Sequence, residues 1–400
     1  MGRAVIFRQT VFWLHLIAGL VAGSVILLMS VSGIMMAYQP QIIAAAEGGL
    51  FQVPQAGERL QPDALLEKLH AAIPDAGPVG LTLRRDADAP ASVALGRERT
   101  VLLNPYTGAL LGEGTWLRPF LHEVEHFHRD LALGERGKKI TGACSLAFLA
   151  LIVTGLYLWF PRKWVKAIAL PSLQLRGKAR DFTWHNAIGL WAALPLAVIA
   201  LTGIVMNYSW ANSLLFRAAG AEPPPPRKVA AKASEIRSEG VQPPLPLAHL
   251  NALWAQAEVH APDWQTISLR AQNHTAATIL VAWGQGMRPD RRATIAANLG
   301  TGEVTKLETF ANQNSGRRLR MWVRPIHTGE AGGVIGQTVA ALASLGAVVL
   351  IWTGFALSWR RFSKRSARRT TTIERPLPSI RTGASAGTAE SFHAPVMTQV

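Results

Sequence analysis

Four of the chain's 11 histidines repeat in register with one another. His15 and His185 lie 170 residues apart, and Gly19, Leu20, Gly33, Ile34, Met36 and Tyr38 after the first match Gly189, Leu190, Gly203, Ile204, Met206 and Tyr208 after the second. His128 and His327 lie 199 residues apart; Gly137, Thr154 and Gly155 match Gly336, Thr353 and Gly354. Each of the four stands at or beside a long apolar run. Histidine is costly in a membrane and marks a functional site there by default. Neutral imidazole is a good axial ligand for haem iron, and two on facing helices give a six-coordinate, electron-transferring centre rather than an oxygen-binding one. The pairs expected are His15 with His185 and His128 with His327, two haems at two depths. Gly19, Gly23 and Gly189 would let the flat ring approach the backbone. One isolated histidine at a span end reads more simply as an interfacial residue bonding headgroups. Four in duplicated register favour ligands. A different transition-metal site is the weaker reading, because no carboxylate or cysteine recurs with them.

Such ligands need a scaffold, and the chain supplies one. Hydrophobic residues make up 49% of its 400 residues. Four apolar runs, roughly Phe12–Tyr38, Ile140–Phe160, Ile188–Tyr208 and Val334–Trp359, reach the ~20 residues needed to span hydrocarbon. A cleaved signal peptide is the lesser reading of the first, whose apolar stretch is long for that role. The sequence predicts an α-helical membrane protein: a four-transmembrane-helix bundle from two duplicated halves, with two small α+β periplasmic lobes. Lys and Arg flank the runs at Arg3 and Arg8, at Arg162, Lys163, Lys166, Arg176, Lys178 and Arg180, and at Arg360, Arg361, Lys364 and Arg365. The positive-inside bias puts these segments and both termini in the cytoplasm. The expected units are 1–39 with the first span, lobe 40–135, span 136–161, loop 162–184, span 185–209, lobe 210–326, span 327–360 and a disordered tail 361–400. Each lobe carries an amphipathic helix, near Pro62–Ala72 and Leu247–Val259, and a strand–turn–strand motif, "NPYTGALLG" (Asn104–Gly112) and "NLGTGEVTK" (Asn298–Lys306). "AEPPPPRK" (Ala221–Lys228) reads as a stiff connector. The net charge of +16 sits beside apolar segments, which argues against nucleic acid as a partner and for a membrane. A lone cysteine, Cys144, leaves no disulfide framework, cysteine metal site or covalent haem motif.

"HEVEHFH" (His122–His128) holds two further histidines four residues apart. His122 and His126 could share a helix face, hold a metal with Glu123 or Glu125, or replace His128 as ligand. His128 is preferred because only it has a partner in the repeat. Between residues 40 and 135 acids outnumber bases 13 to 8, and between 210 and 325 bases outnumber acids 14 to 8. Arg317, Arg318, Arg320 and Arg324 approach His327, and Arg129 follows His128. Arg129 and Arg324 suit pairing with haem propionates. Arg317, Arg318 and Arg320, with Trp322, suit an anionic substrate above the second pair. Lipid phosphate is the bland alternative for these arginines, and belt anchoring for Trp116, Trp210 and Trp322.

"LHLIAGLVAG" (Leu14–Gly23), "HRDLALGERG" (His128–Gly137), "WHNAIGLW" (Trp184–Trp191), and "IHTG" (Ile326–Gly329) leading to "TGFALSWRR" (Thr353–Arg361) together resemble the PepSY-associated transmembrane family over nearly the whole chain except the tail. "NPYTG" resembles the PepSY domain itself. The resemblance implies PepSY-like lobes, b-type haem and kinship with inner-membrane reductases of ferric siderophores such as ferrioxamine or ferripyoverdine. It implies membrane lipid, a ferric siderophore and periplasmic iron-binding proteins as partners. The chain has no nucleotide-binding loop or flavin motif, so its electron donor would be separate, either quinol or a cytoplasmic flavoprotein. PepSY lobes have also been linked to peptidase control, which leaves a membrane-tethered regulator without redox chemistry as the rival reading.

Overall fold

The computed structural model describes residues 2–51, 53–54, 57–74, 78–96, 99–160, 170–225, 245–272, 275–284 and 288–373. The basic residues Arg162, Lys163 and Lys166, the end of the proline connector at Arg227 and Lys228, and the tail from 374 onward lie outside them.

The first half runs α1 (Gly2–Met36), α2 (Gln39–Leu50), α3 (Pro62–Ala72), β1 (Pro78–Arg84), β2 (Ala91–Leu95), β3 (Arg99–Leu103), β4 (Leu110–Glu113), α4 (Leu117–Asp130) and α5 (Gly134–Trp159). The second runs α6 (Gly177–Asn207), α7 (Ser209–Ala218), α8 (Leu250–His260), β5 (Thr266–Ala271), β6 (Ala276–Ala282), β7 (Arg292–Asn298), β8 (Val304–Thr309), α9 (Ser315–Thr328) and α10 (Gly333–Ile373). The same order of elements is thus traced twice.

The four helices long and apolar enough to cross a membrane are α1, α5, α6 and a stretch, Glu330–Ser363, that takes in most of α10. They overrun the apolar runs at several ends, because a helix does not stop where hydrocarbon does. As a result His15 and His185 lie well inside α1 and α6. Helix α5 packs on both α1 and α6. Helix α10 closes the ring, with Phe355 against Gly23 of α1 and with Ala343 and Ala347 against Ala192 and Leu196 of α6. Val21, Val153, Leu194 and Leu342 are exposed, as lipid-facing side chains are.

The strands depart from the expectation of two separate lobes. They form one eight-stranded antiparallel sheet, β4-β3-β2-β1-β5-β6-β7-β8. The seam is β1 against β5, with Leu81 facing Leu269 and Leu83 facing Ile267. Strands β2, β6 and β7 alternate buried and half-buried residues. Their buried side chains meet Leu65, Leu66 and Leu69 of α3 and Leu250, Leu253, Trp254 and Ala257 of α8 in one core. Joining the halves gives each a second set of apolar neighbours and hides two strand edges that would otherwise invite pairing. Both turn motifs use the same chemistry. Asn104 Oδ1 accepts from the N–H groups of Tyr106 and Thr107 (2.8 and 3.2 Å), and Asn298 Oδ1 from those of Gly300 and Thr301 (2.9 and 3.3 Å). Gly108 and Gly302 complete the turns at φ +72° and +73°, a region that favours glycine.

Two short, strongly amphipathic helices link sheet to bundle. Helix α4 follows β4 and α9 follows β8; each reverses sharply into a spanning helix. A Cβ on Gly137 would sit 1.6 Å from the carbonyl oxygen of Asp130, and one on Gly336 2.2 Å from that of Gly329. Glycine at these matched positions is what allows the reversal, and the reversal aims His128 and His327 back at the bundle.

Candidate functional site

The four registered histidines form two pairs. The ring centroids of His15 and His185 are 6.5 Å apart with planes at 88°. Those of His128 and His327 are 6.3 Å apart with planes at 71°. The second pair lies toward the sheet and the first far from it. Ser32, which touches His128, follows His15 by 17 residues on α1, about 26 Å of helix axis.

Each ring is held by a hydroxyl from a neighbouring helix. His15 Nδ1 meets Thr154 Oγ1 of α5 at 2.9 Å, and His185 Nδ1 meets Thr353 Oγ1 of α10 at 3.0 Å. His128 Nδ1 meets Ser32 Oγ of α1, and His327 Nδ1 meets Thr202 Oγ1 of α6, both at 3.0 Å. All four hydroxyls already donate to the carbonyl four residues back: Thr154 to Ala150 (2.7 Å), Thr353 to Val349 (2.7 Å), Ser32 to Leu28 (2.8 Å) and Thr202 to Val198 (2.7 Å). A hydroxyl has one proton to give. Toward the imidazole it must therefore accept, so Nδ1 carries the hydrogen and Nε2 presents its lone pair. His327 Nδ1 has a second acceptor, the carbonyl of Ile199 at 3.0 Å. Among the described residues no hydrogen bond reaches any of the four Nε2 atoms.

Each hydroxyl is followed by a glycine: Ser32-Gly33, Thr154-Gly155, Thr202-Gly203 and Thr353-Gly354. A Cβ on these would lie 3.5, 3.3, 3.4 and 3.6 Å from the Cε1 of His128, His15, His327 and His185. The dipeptide is one repeated device, with a hydroxyl to orient the ring and a bare Cα to seat its edge. Gly19, Gly23 and Gly189 face Leu151, Phe355 and Leu350 of neighbouring helices. Gly33 and Gly203, and the Thr-Gly pairs 154–155 and 353–354, show in the sequence as repeated letters. Ser32 and Thr202 do not, because serine and threonine share a function but not a letter.

A metal–imidazole bond of about 2 Å on each side of one ion, plus the short step from nitrogen to ring centre, sets trans imidazoles about 6 Å apart. Both pairs have that spacing. Among the described residues no group of three or more His, Cys, Asp or Glu side chains could hold a metal ion. Each pair offers two nitrogens and nothing else.

The remaining expected residues divide. His126 is not beside His327. It pairs with His122 on α4, Nε2 to Nε2 at 3.1 Å, and takes a hydrogen bond on Nδ1 from Arg129 (2.9 Å). The four-residue spacing of these two puts them on one helix face. Arg317 and Arg318 are exposed, and Asn314 caps α9 by accepting from the N–H of Arg317 at 2.7 Å. Arg320 is half-buried; burial lowers its pKa, and Arg317 adds to this. Trp322 lies under the Arg288 guanidinium (5.9 Å) and edge-on to Phe310 (6.5 Å). Trp116 and Trp210 are exposed. Arg324 is exposed and acts electrostatically on His327 and on Arg292 of β7. Arg292 is the residue the sequence reading missed. Burial lowers its pKa, Glu330 opposes this and Arg324 reinforces it. Its Nε is buried without a hydrogen-bond partner among the described residues. A guanidinium so placed favours an anion.

The family described as PepSY-associated TM region matches residues 12–361. The chain belongs to this family. The match covers both histidine pairs, the four hydroxyl–glycine dipeptides and the sheet, and it fits a multi-pass membrane protein in contact with lipid. No curated protein matches the chain.

Proposed function

We propose that this PepSY-associated protein is a haem b-containing electron carrier of the bacterial inner membrane that reduces a ferric siderophore on its periplasmic side and releases ferrous iron. The observation that carries the reading is the tautomer fixed at all four histidines. Each Nδ1–H is committed to a hydroxyl, so each Nε2 is ready to ligate, and the ring centroids of each pair stand 6.5 and 6.3 Å apart, room for one metal ion between two imidazoles. Two opposed imidazoles with no third protein donor suit a group that would bring donors of its own, as haem does. His15 with His185 and His128 with His327 would each hold one haem b. Arg292 and Arg324 would face the propionates of the second, with Arg129 less directly placed because it bonds His126. When bound, haem supplies one-electron transfer between the two depths. The chain's part is to orient the rings, fix their tautomers and enclose them in apolar helices.

Lys/Arg bias supports cytoplasmic termini, which sets the sheet and the second pair in the periplasm. There Arg317, Arg318, Arg320 and Trp322 offer an anionic chelate a positive, partly aromatic surface. The electron would come from quinol or a cytoplasmic flavoprotein, and iron-binding proteins would take up the product. The duplicated element order supports reading each half-sheet with its helix as one PepSY-like unit.

The test is an absorption spectrum of the purified protein with pyridine-haemochrome quantification. The expected result is a Soret band and two haems per chain, falling to one in His15→Ala and in His327→Ala. Stopped-flow mixing of the dithionite-reduced protein with ferric siderophore should then reoxidise it. A colourless protein that tolerates these substitutions would sink the haem reading and favour the peptidase-regulator alternative. A coloured protein that ferric siderophore leaves reduced would remove the substrate alone.

A further inference from the structure

The second imidazole pair on α4 has no role in the haem reading. His122 and His126 stand one turn apart, ring centroids at 4.6 Å and planes at 88°, both half-buried on the α4 face that carries Arg129 and Asp130. Their Nε2 atoms are 3.1 Å apart. Two nitrogens at that separation, each about 2.1 Å from one ion, subtend roughly 95°. That is the cis angle of an octahedral site. Asp130 lies behind His126, its Oδ2 3.9 Å from His126 Nδ1 and 3.7 Å from Arg129 Nε.

We propose that His122 and His126 form a surface site for a divalent first-row transition-metal cation, with Asp130 as the positioning residue for His126. In the metal-free arrangement Arg129 donates to His126 Nδ1, so the hydrogen of His126 sits on Nε2 and bridges to His122 Nε2. Loading moves that hydrogen to Nδ1. The exposed Arg129 side chain swings away, Nδ1–H turns to the Asp130 carboxylate, and both Nε2 lone pairs meet the cation. A carboxylate behind a ligating imidazole fixes its tautomer and raises its basicity. Imidazole suits the borderline divalent ions, and the open positions would be filled by water or by chelate oxygens. With two protein ligands the site is suited to pass a cation on rather than to store it. His126 precedes His128 by two residues, about 3 Å along the axis of α4. Under the proposed function the cation arriving there is ferrous iron; that identification rests on the reductase reading, and the site itself does not.

Untagged full-length protein in detergent, dialysed to equilibrium against Zn(II) and analysed for metals by mass spectrometry, tests this. Iron reports haem and zinc reports the site in the same sample. The His122→Gln/His126→Gln double variant is expected to hold one zinc fewer than the parent at unchanged iron. Asp130→Asn should weaken zinc binding about 10- to 100-fold. Equal zinc in parent and double variant overturns the proposal. So does a joint loss of zinc and iron, which would assign the pair to the haem site. If the parent holds no iron at all, the haem reading fails while the zinc difference still decides this one.

Discussion

Replacing Thr154 by valine removes one oxygen and keeps the shape of the side chain. The Thr154 hydroxyl is the acceptor for His15 Nδ1–H at 2.9 Å, and among the described residues no backbone carbonyl shares that N–H. In the variant that N–H is left without a partner, at a cost of about 1–3 kcal/mol. The cost falls on the tautomer that ligates, because the other tautomer can turn its hydrogen toward Nε2. Haem affinity at the far pair should drop about 5- to 150-fold. A less basic imidazole also stabilises ferric iron less than before, so the midpoint potential should rise, by about 59 mV for each tenfold bias of the one-electron couple. Thr202→Val provides the internal comparison. His327 Nδ1 keeps the Ile199 carbonyl at 3.0 Å when the Thr202 hydroxyl is gone, so its loss should be several-fold smaller. Thr154→Ser should behave as the parent. Haemin titration of the apoprotein and potentiometric titration of the Soret band measure both effects. Parent-like affinity and potential in Thr154→Val, or equal losses in Thr154→Val and Thr202→Val, would refute the argument from hydroxyl acceptors.

Three further substitutions probe the ring seat, a buried ion pair and the sheet seam. Gly155→Val adds a branched side chain where a Cβ alone would stand 3.3 Å from His15 Cε1; overpacking of about 1–3 kcal/mol should displace the ring and halve the haem content by pyridine haemochrome. Glu47→Gln removes the negative charge from a side chain that is 8% exposed and bonded through both oxygens to Arg118 at 2.5 Å. Because Arg118 is 34% exposed, the loss should be about 2 kcal/mol, below that of a fully buried pair, and visible as a lower melting temperature of the detergent-solubilised protein. Leu269→Ala opens a cavity opposite Leu81 at the β1–β5 seam and should cost about 2–5 kcal/mol, read by the protease sensitivity of the sheet.

The histidine pairs were legible because the repeat carries the histidines at constant offset, and a polar residue in an apolar helix has few innocent uses. The orienting hydroxyls were not. A threonine in a spanning helix ordinarily bonds back to its own helix, as Thr154 and Thr353 do, and nothing in the sequence says that the oxygen also faces an imidazole from another helix. The glycine that seats the His15 imidazole was hidden in the same way, because Gly155 belongs to a different helix and only packing brings it to the ring. The single sheet was illegible for a related reason. Alternation marks β1 and β5 as strands with one buried face, but a strand edge looks the same in sequence whether it is solvated or paired. Arg292 was passed over because it lies 35 residues before His327, and only the fold carries β7 to the end of α9.

The two halves agree where the imidazoles are held and disagree beside them. At an offset of 199, His128 matches His327, yet Glu125 faces Arg324, Glu123 faces Trp322, His122 faces Met321 and His126 faces Pro325. The shared positions require the same thing of both halves: a ring turned inward, a hydroxyl behind it and a glycine beneath it. Positions 122, 123 and 126 and their matches lie away from the imidazole's side of the helix, whereas Glu125 and Arg324 stand one turn before it and act on it electrostatically. One half became imidazole and carboxylate, the chemistry that receives a cation. The other became guanidinium and indole, the chemistry that receives an anion with flat or apolar parts. A duplicated scaffold with two equivalent flanks would give an incoming complex no preferred approach. Under the proposed function, unlike flanks would draw an anionic chelate toward α9 and a released cation toward α4, so that substrate would arrive on one side of the imidazole pair and product would leave on the other.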